Sequence, residues 1–277
     1  LLLPLIFLFS CKEKIEHGYS SSISFNPKDS VSVMLQPFEA AKNQSIKLFD
    51  INENVVDEVT SDLFMQDRFD TNNFWKNGYN YKETFKYGIT DQLKSGIYYF
   101  ENTSPFIVKR KSFSKKKKIL IIYPSNTDNA YNRNGGKSSY TIPKGDTLSF
   151  NRPVELQHYI KYFLKWIANQ NFEVDYIADI DLDNYDNIKG YKTIIIPGHN
   201  EYWTRKARRN FDKYIDLGGN AVILSGNTMW WQVRYTEDFS KMICFKNTII
   251  DSLVADSLKT TIWPGKVLNY PVLSSIG

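Results

Sequence analysis

The chain has 277 residues, of which 42% are hydrophobic and 23% charged, so it can bury a substantial core, and its length favours two domains over one. This composition excludes intrinsic disorder, a collagen helix and a coiled coil. The net charge of +5, from 35 basic and 30 acidic residues, is too small to indicate a nucleic-acid partner.

The first eleven residues indicate an export signal. Residues 1–9 are an apolar run too short to span a bilayer, and the run ends at Ser10-Cys11. This ending is similar to the lipobox of bacterial lipoproteins, in which the cysteine is acylated. We therefore expect an exported protein anchored by a lipid on Cys11 to a bacterial membrane, on its periplasmic or cell-surface side. An ordinary signal peptide, or a membrane anchor with an incidental Cys11, is the alternative.

Residues 20–108 have the pattern of a β-sandwich. Apolar and polar residues alternate in short runs, as at Val31, Val33 and Leu35, and clusters of Asn, Asp, Gly and Pro separate the runs. We interpret this segment as an antiparallel, Ig-like sandwich. Its frequent Tyr and Trp residues are typical of sandwich cores and edges, with a sugar-binding face as the alternative.

After a basic linker at residues 109–118, buried strands alternate with helices. The linker is interpreted as solvated chain, with a patch for anionic lipid or nucleic acid as the alternative. Apolar strands are predicted at 119–123, 172–178, 193–197 and 221–225, and helices are predicted to begin near Pro153 and Thr204. We therefore predict an α/β domain with a mostly parallel sheet over residues 119–277, and we interpret the ending at Gly277 as an interruption of that domain.

His199 and Glu201 follow the third of these strands. Spaced two residues apart, they point to the same side if the chain stays extended, and they offer an imidazole and a carboxylate to one ligand. Together with phenolate oxygens of tyrosines, such a carboxylate favours ferric iron over zinc. The alternative is structural: Glu201 bridges Arg205 or Arg208, and His199 caps the turn.

Other motifs narrow the possible chemistry. The amide of Asn227, after the fourth strand, can orient a substrate carbonyl or stabilise an oxyanion, or else only satisfy its own turn. A phosphate loop at residues 135–139 is excluded, because Tyr131 stands where the first glycine is required. No Gly-x-Ser-x-Gly motif is present. Cys244 does not follow a predicted strand, which disfavours a cysteine nucleophile, and with Cys11 acylated it has no partner for an internal disulfide.

Six short motifs then follow one another along the second half of the chain. They are Tyr-Pro-Ser-Asn-Thr at 123–127, Ala-Tyr-Asn at 130–132, Gly-Gly-Lys-Ser-x-Tyr at 135–140, Ser-Phe-x-Arg-Pro at 149–153, Pro-Gly-His-x-Glu-Tyr-Trp at 197–203, and Gly-Gly-Asn-x-x-x-Leu-x-Gly-Asn-Thr-Met-x-Trp at 218–231. From about residue 118 to 234 the chain thus resembles the C-terminal domain of the large (beta) subunit of N,N-dimethylformamidase and its relatives. The β-rich half also resembles the sandwich that precedes this domain in many relatives.

The resemblance implies a fold and a metal site. The fold is α/β, similar to class I glutamine amidotransferases, and the metal is a mononuclear ferric iron held by tyrosine and glutamate oxygens. By its motifs, the resemblance places the glutamate ligand at Glu201 and the tyrosine ligands at Tyr140 and Tyr131. Tyr98 or Tyr99, in the sandwich half, is a further candidate ligand.

The resemblance also implies an activity. We expect an iron-dependent amidohydrolase that cleaves a C–N bond of a small or surface-derived amide, in which His199 passes a proton to the leaving amine and Asn227 orients the carbonyl. A small subunit or a second copy of the chain is the expected partner. Asp128 departs from the family motif, and we expect it on the substrate-pocket wall. The alternative function is a non-catalytic surface lipoprotein that binds glycan or peptide through its aromatic-rich loops.

Overall fold

The computed structural model describes residues 13–67, 73–110, 119–156, 158–252 and 254–271. Cys11, the predicted site of acylation, and residues 111–118 of the predicted linker lie outside these residues. Within the described ranges, the helices are too short or too polar to cross a bilayer.

The N-terminal half consists of two sheets that face one core. Its strands are β1 (Ile15–Ser20), β2 (Ser24–Phe25), β3 (Ser30–Pro37), β4 (Ala41–Asp50), β5 (Val55–Leu63), β6 (Phe85–Gly88), β7 (Gly96–Phe100) and β8 (Phe106–Val108), with a short helix α1 (Phe74–Asn77). One sheet has the order β1-β3-β6 and the other β2-β8-β7-β4-β5, and apart from the β2-β8 pair the strands are antiparallel. Alternate residues of both sheets, such as Leu35 and Leu48, are buried between them. Whether this sandwich is Ig-like stays a prediction.

The C-terminal half contains a parallel sheet and a mixed sheet. Its strands are β9 (Ile119–Tyr123), β10 (Thr147–Ser149), β11 (Val174–Ala178), β12 (Thr193–His199), β13 (Tyr202–Thr204), β14 (Asn220–Gly226), β15 (Trp231–Tyr235) and β16 (Lys241–Ile243), and its helices are α2 (Ser125–Tyr131), α3 (His158–Ala168) and α4 (Arg205–Asp216). The parallel sheet has the order β11-β9-β12-β14 and the mixed sheet β10-β16-β15-β13. The four predicted apolar strands are confirmed as β9, β11, β12 and β14. Thr204 caps α4 as predicted, because its Oγ1 accepts a hydrogen bond from the Ala207 amide at 3.0 Å.

The predicted fold class is wrong for this chain. The described residues are mostly β, in four small sheets of three to five strands, and the four described α-helices contain only 4, 7, 11 and 12 residues. The parallel sheet is one small sheet among them and does not make an α/β amidotransferase-like fold. The prediction missed β10, β13, β15 and β16, because strands of three to five residues with polar and aromatic members produce no apolar run.

Two cores lie on opposite faces of the parallel sheet. Side chains of β9 and β12 alternate between these faces, because successive residues of a strand point to opposite sides. One face packs against α4, through Leu120, Ile194, Ile196, Trp203, Phe211 and Tyr214. The other packs against α3, through Ile121, Ile160, Leu164, Ile167 and Tyr176. The carboxyl end of β12 therefore emerges between the two helical layers.

Polar contacts join the two halves of the chain. Lys109, in the predicted linker, is mostly buried, and its Nζ lies 3.0 Å from the carboxylate of Asp181. The same carboxylate accepts a hydrogen bond from the Ser24 hydroxyl at 2.9 Å. The Tyr176 amide donates to Ser95 Oγ at 2.9 Å. These contacts place the sandwich against the α3 side of the parallel sheet.

Asp128 lies at a cavity where the two halves of the chain meet. Its side chain is 1% exposed and lines a cavity of about 40 Å³ together with Tyr19, Ser104 and Arg152. The Tyr123 hydroxyl donates to Asp128 Oδ2, and Oδ1 has no hydrogen-bond partner among the described residues. Burial raises the pKa of this carboxyl to about 7.

We expect Asp128→Asn to raise the free energy of unfolding above that of the wild type, and to do so more at pH 8 than at pH 4. Because the pKa of Asp128 is higher in the folded protein than in the unfolded chain, the folded state binds more protons between about pH 4 and 7. This carboxyl therefore lowers stability as the pH rises through that window. The asparagine keeps an acceptor for the Tyr123 hydroxyl but cannot ionise, so the loss of stability at high pH disappears. A pKa difference of about three units between the folded and unfolded states corresponds to at most ~4 kcal/mol.

Urea unfolding at pH 4 and pH 8 measures the free energy of unfolding of wild type and variant. The control is Asp216→Asn, at the exposed end of α4. Parallel pH profiles of wild type and Asp128→Asn would contradict the assignment of the pH dependence to this carboxyl.

Candidate functional site

Glu201 lies in the two-residue connection between the parallel sheet and the mixed sheet. Strand β12 ends at His199 and β13 begins at Tyr202. The backbone of Glu201 is fixed from both sides: its amide donates to Thr127 Oγ1 in α2 at 3.0 Å, and its carbonyl accepts from the Trp231 amide in β15 at 2.9 Å. The carboxylate is thereby held at the edge where both sheets and α2 meet.

The structure brings together all five side chains that the motifs single out. Tyr140 donates its hydroxyl to Glu201 Oε2 at 3.0 Å, and the Asn227 amide donates to Glu201 Oε1 at 3.2 Å. His199 Nε2 lies 3.5 Å from Glu201 Oε2 and 3.3 Å from the Tyr131 hydroxyl. The rings of Tyr131 and Tyr140 stack with their centroids 4.3 Å apart. A carboxylate, an imidazole, an amide and two phenols thus converge on one point.

Asn227 reaches this point through its backbone conformation. It follows β14 with a φ of +48°, in the left-handed region that asparagine tolerates better than most residues. Its side-chain amide points to Glu201 and lies 3.5 Å from His199 Nε2. Asn227 is therefore directed at the site, and the alternative in which it satisfies only its own turn is wrong.

The glycine opposite His199 permits a close approach. Gly226 is the register partner of His199 in the β12-β14 pair, and a Cβ atom added to it would lie 3.2 Å from His199 Nδ1. A larger side chain at this position would push the imidazole away from Glu201.

Glu201 does not bridge the arginines of α4. Arg208 donates to the carboxylate of Asp212 at 2.9 Å, and Arg205 donates to the carbonyl of Ser257 at 2.6 Å. Within the described ranges, the ion pair of Glu201 is with His199 alone. The structural alternative for this glutamate is therefore wrong.

The residues present fit a hard metal ion. The Glu201 side chain is 3% exposed, and the cost of burying a carboxylate is offset by hydrogen bonds and nearby positive charge, to which a bound cation would add. The described part of the chain has no cluster of three His, Cys, Asp or Glu side chains, and the phenol oxygen of Tyr140 lies beside the Glu201 carboxylate. Carboxylate and phenolate oxygens suit ferric iron. Burial raises the pKa of Tyr131 and Tyr140, so these phenols are protonated at neutral pH unless a bound cation displaces their protons.

Sequence reasoning missed Tyr202 and Lys246. The Tyr202 hydroxyl lies 2.7 Å from that of Tyr140 and accepts a hydrogen bond from Lys246 Nζ, also at 2.7 Å. The same Nζ lies 3.9 Å from the ring centroid of Tyr140. Burial lowers the pKa of Lys246. Tyr202 belongs to a motif that was recognised, whereas Lys246 lies beyond the last predicted strand and no pattern singled it out.

Two other sequence candidates lie away from the site. The Tyr98 hydroxyl donates to the carbonyl of Lys94 at 2.9 Å, and Tyr99 stacks on Phe49 in the neighbouring strand. Both tyrosines thus serve the sandwich half and are not placed to bind the same ion as Glu201. Cys244 is buried, and burial raises the pKa of its thiol to about 12, which suits a packing role.

Arg152 organises the loop that carries the tyrosines. The residue is 1% exposed, and its guanidinium donates to oxygen atoms of five residues, namely Asn129, Asn132, Asn134, Lys137 and Ser149. Burial lowers its pKa to about 10, so it stays charged at neutral pH. The hydrogen-bonded segment begins next to Tyr131 and continues toward Tyr140. The guanidinium group of Arg152 therefore positions both phenols.

We expect Arg152→Lys to lower the free energy of unfolding by about 2–4 kcal/mol, because an ammonium group cannot make these divergent hydrogen bonds and leaves buried carbonyls unpaired. Urea unfolding measures the loss, and hydrogen exchange at residues 129–137 should become faster. Arg133→Lys, on the exposed side of the same loop, is the control. Unchanged exchange in this loop would show that Arg152 does not organise it.

Comparison with known proteins agrees with the motifs. A family model described as N,N-dimethylformamidase beta subunit-like, C-terminal, matches residues 60–270, a wider span than the motifs cover. No curated protein matches the chain. The family is consistent with amide hydrolysis in general. Because the match covers well over half of the sequence, the chain belongs to the N,N-dimethylformamidase beta subunit-like family.

Proposed function

We propose that this protein is an iron-dependent amidohydrolase that cleaves the C–N bond of a small or surface-derived amide. The observation that carries the proposal is the convergence of the Tyr140 phenol, an imidazole and an amide on the buried carboxylate of Glu201, with the Tyr131 phenol beside the imidazole. Family membership supports amide hydrolysis as the reaction.

Glu201, Tyr140 and Tyr131 are the proposed ligands of a mononuclear ferric ion. When bound, the ion would supply Lewis-acid chemistry that polarises the carbonyl of the amide. Lys246 holds the hydroxyl of Tyr202 next to that of Tyr140 and places positive charge at the phenol ring of Tyr140.

His199 and Asn227 are the proposed catalytic residues. His199 Nε2 lies beside Glu201 and can carry a proton to the leaving amine. The Asn227 amide donates into the same space and can orient the carbonyl oxygen of the substrate. Both side chains lie at the carboxyl ends of parallel strands, an edge where sheets of this kind commonly bind ligands.

A non-catalytic lipoprotein that binds glycan or peptide is the alternative function. The Tyr140 hydroxyl donates to the buried carboxylate of Glu201, and the Tyr131 hydroxyl lies 3.3 Å from His199 Nε2. The position of Tyr131 and Tyr140 next to Glu201 and His199 therefore supports the hydrolase.

We further propose that the protein is exported and held on a bacterial membrane by a lipid on Cys11. This proposal rests on the Ser10-Cys11 motif after an apolar run. The proposed partners are the amide substrate and either a small subunit or a second copy of the chain.

Metal analysis and visible absorption of the purified chain test the iron site. We expect stoichiometric iron with a tyrosinate-to-iron charge-transfer band in the wild type, and loss of both in Glu201→Gln, because the variant removes the anionic ligand but keeps its shape. Glu237→Gln, at an exposed position, is the control and should bind iron normally. A colourless, iron-free wild type after reconstitution would contradict the proposed metal.

A second test separates the catalytic role of His199 from ligand binding. We expect His199→Ala to lower kcat/KM for amide hydrolysis by about 10²–10⁴, which is typical for loss of general acid-base catalysis, while iron content stays near the wild-type value. Hydrolysis is followed by release of the amine, and iron by its absorption band. A variant that keeps full activity would exclude His199 from proton transfer.

A further inference from the structure

In the part of the chain that the structure describes, one face of the parallel sheet is only partly covered. Among these residues β14 is an edge strand, and its register pairs Val222 with Ile195 and Leu224 with Pro197. These two residues lie on the face opposite α4, since Ala221 and Ile223 pack toward the α4 core. Val222 remains 40% exposed and Leu224 53% exposed. An apolar strip therefore runs along the end of the sheet on its α3 side.

Helix α3 forms one wall beside this strip. Ile160, Leu164 and Ile167 are buried against the sheet, whereas Phe163 is partly buried at the margin of the helix. Between Phe163 and β14 lies a groove of about 290 Å³. Its lining residues are Phe163, Pro197, Gly198, His199 and Leu224. This volume is near the lower limit, roughly 300 Å³, of pockets that bind small molecules.

The groove leads directly to the candidate site. His199 lines one end of it and at the same time lies against Glu201, Tyr131 and Asn227. Apart from His199, the lining side chains are apolar and uncharged, and β14 itself contains no charged residue. Edge strands exposed to water usually carry charges, so an apolar edge next to a candidate active site indicates a binding surface.

We propose that this groove binds an extended apolar substituent of the amide substrate, an alkyl or aryl group of several carbons. The inference rests on the proposed function, because His199 is the residue that the groove and the site share. An uncharged apolar lining favours such a group over a sugar or a charged peptide, whose polar groups would find no hydrogen-bond partners there. The substrate is therefore larger than a dimethylated amide.

A homologous series of primary amides, from acetamide to octanamide, tests the proposal with the iron-loaded protein. We expect kcat/KM to rise about two- to fourfold for each added methylene until the groove is filled, the range expected for partial to full burial of a CH₂ group. In Leu224→Gln this dependence on chain length should disappear. Leu217→Gln, at a 70% exposed leucine after α4 and outside the groove, should retain it.

Calorimetric titration of the iron-free protein with acetamide and hexanamide keeps the outcome independent of turnover. Tighter binding of hexanamide, lost in Leu224→Gln, would support the groove even if no amide is hydrolysed, and only the proposed function would then fail. Hydrolysis with equal kcat/KM for all chain lengths would overturn the groove and leave the proposed function standing. Absence of both hydrolysis and binding would overturn both proposals.

Light scattering after size-exclusion chromatography tests whether a second copy of the chain occupies the apolar strip. We expect wild type and Leu224→Gln to have the same oligomeric state. A wild-type dimer that Leu224→Gln converts to monomers would show that a second copy of the chain covers the apolar strip, and this result would overturn the proposal.

Discussion

The buried carboxylate of Glu201 is the constraint on which the candidate site depends. A carboxylate with 3% exposure requires compensation from its surroundings, because water can no longer solvate it. Tyr140 and Asn227 donate hydrogen bonds to it, and His199 lies at ion-pairing distance. A multivalent cation held by the same oxygens would complete this compensation, so the burial of Glu201 and the proposed metal have one physical explanation.

The position of Glu201 explains why the protein needs two sheets in its C-terminal half. The parallel sheet alone would deliver His199 and Asn227 from neighbouring strands, but neither tyrosine. Tyr131 comes from the end of α2, and Tyr140 from the loop that Arg152 holds. The mixed sheet then closes the other side, where Lys246 follows β16 and reaches Tyr202. The site is thus assembled at the junction of the sheets.

Sequence patterns predicted the parts of this arrangement that have a strong local signal. The continuous apolar strands β9 and β12 were located, and the motif residues His199 and Glu201 proved to be neighbours in space. The fold class failed because the mixed sheet consists of short strands whose partners are distant in the sequence, such as β10 and β16. Lys246 was not predicted as a site residue for a similar reason, because a single lysine has no periodicity and its role comes only from tertiary contacts.

The open groove follows from the dimensions of helices and strands. A helix with its side chains is about 10 Å wide, whereas neighbouring strands lie about 4.8 Å apart, so one helix covers roughly two strands. Helix α3 packs on β12, strands of the sandwich cover β11, and in the described residues no second helix covers β14 on this face. Space beside His199 is therefore a consequence of the architecture, whereas the apolar character of Leu224 and Phe163 determines which substrates can use it.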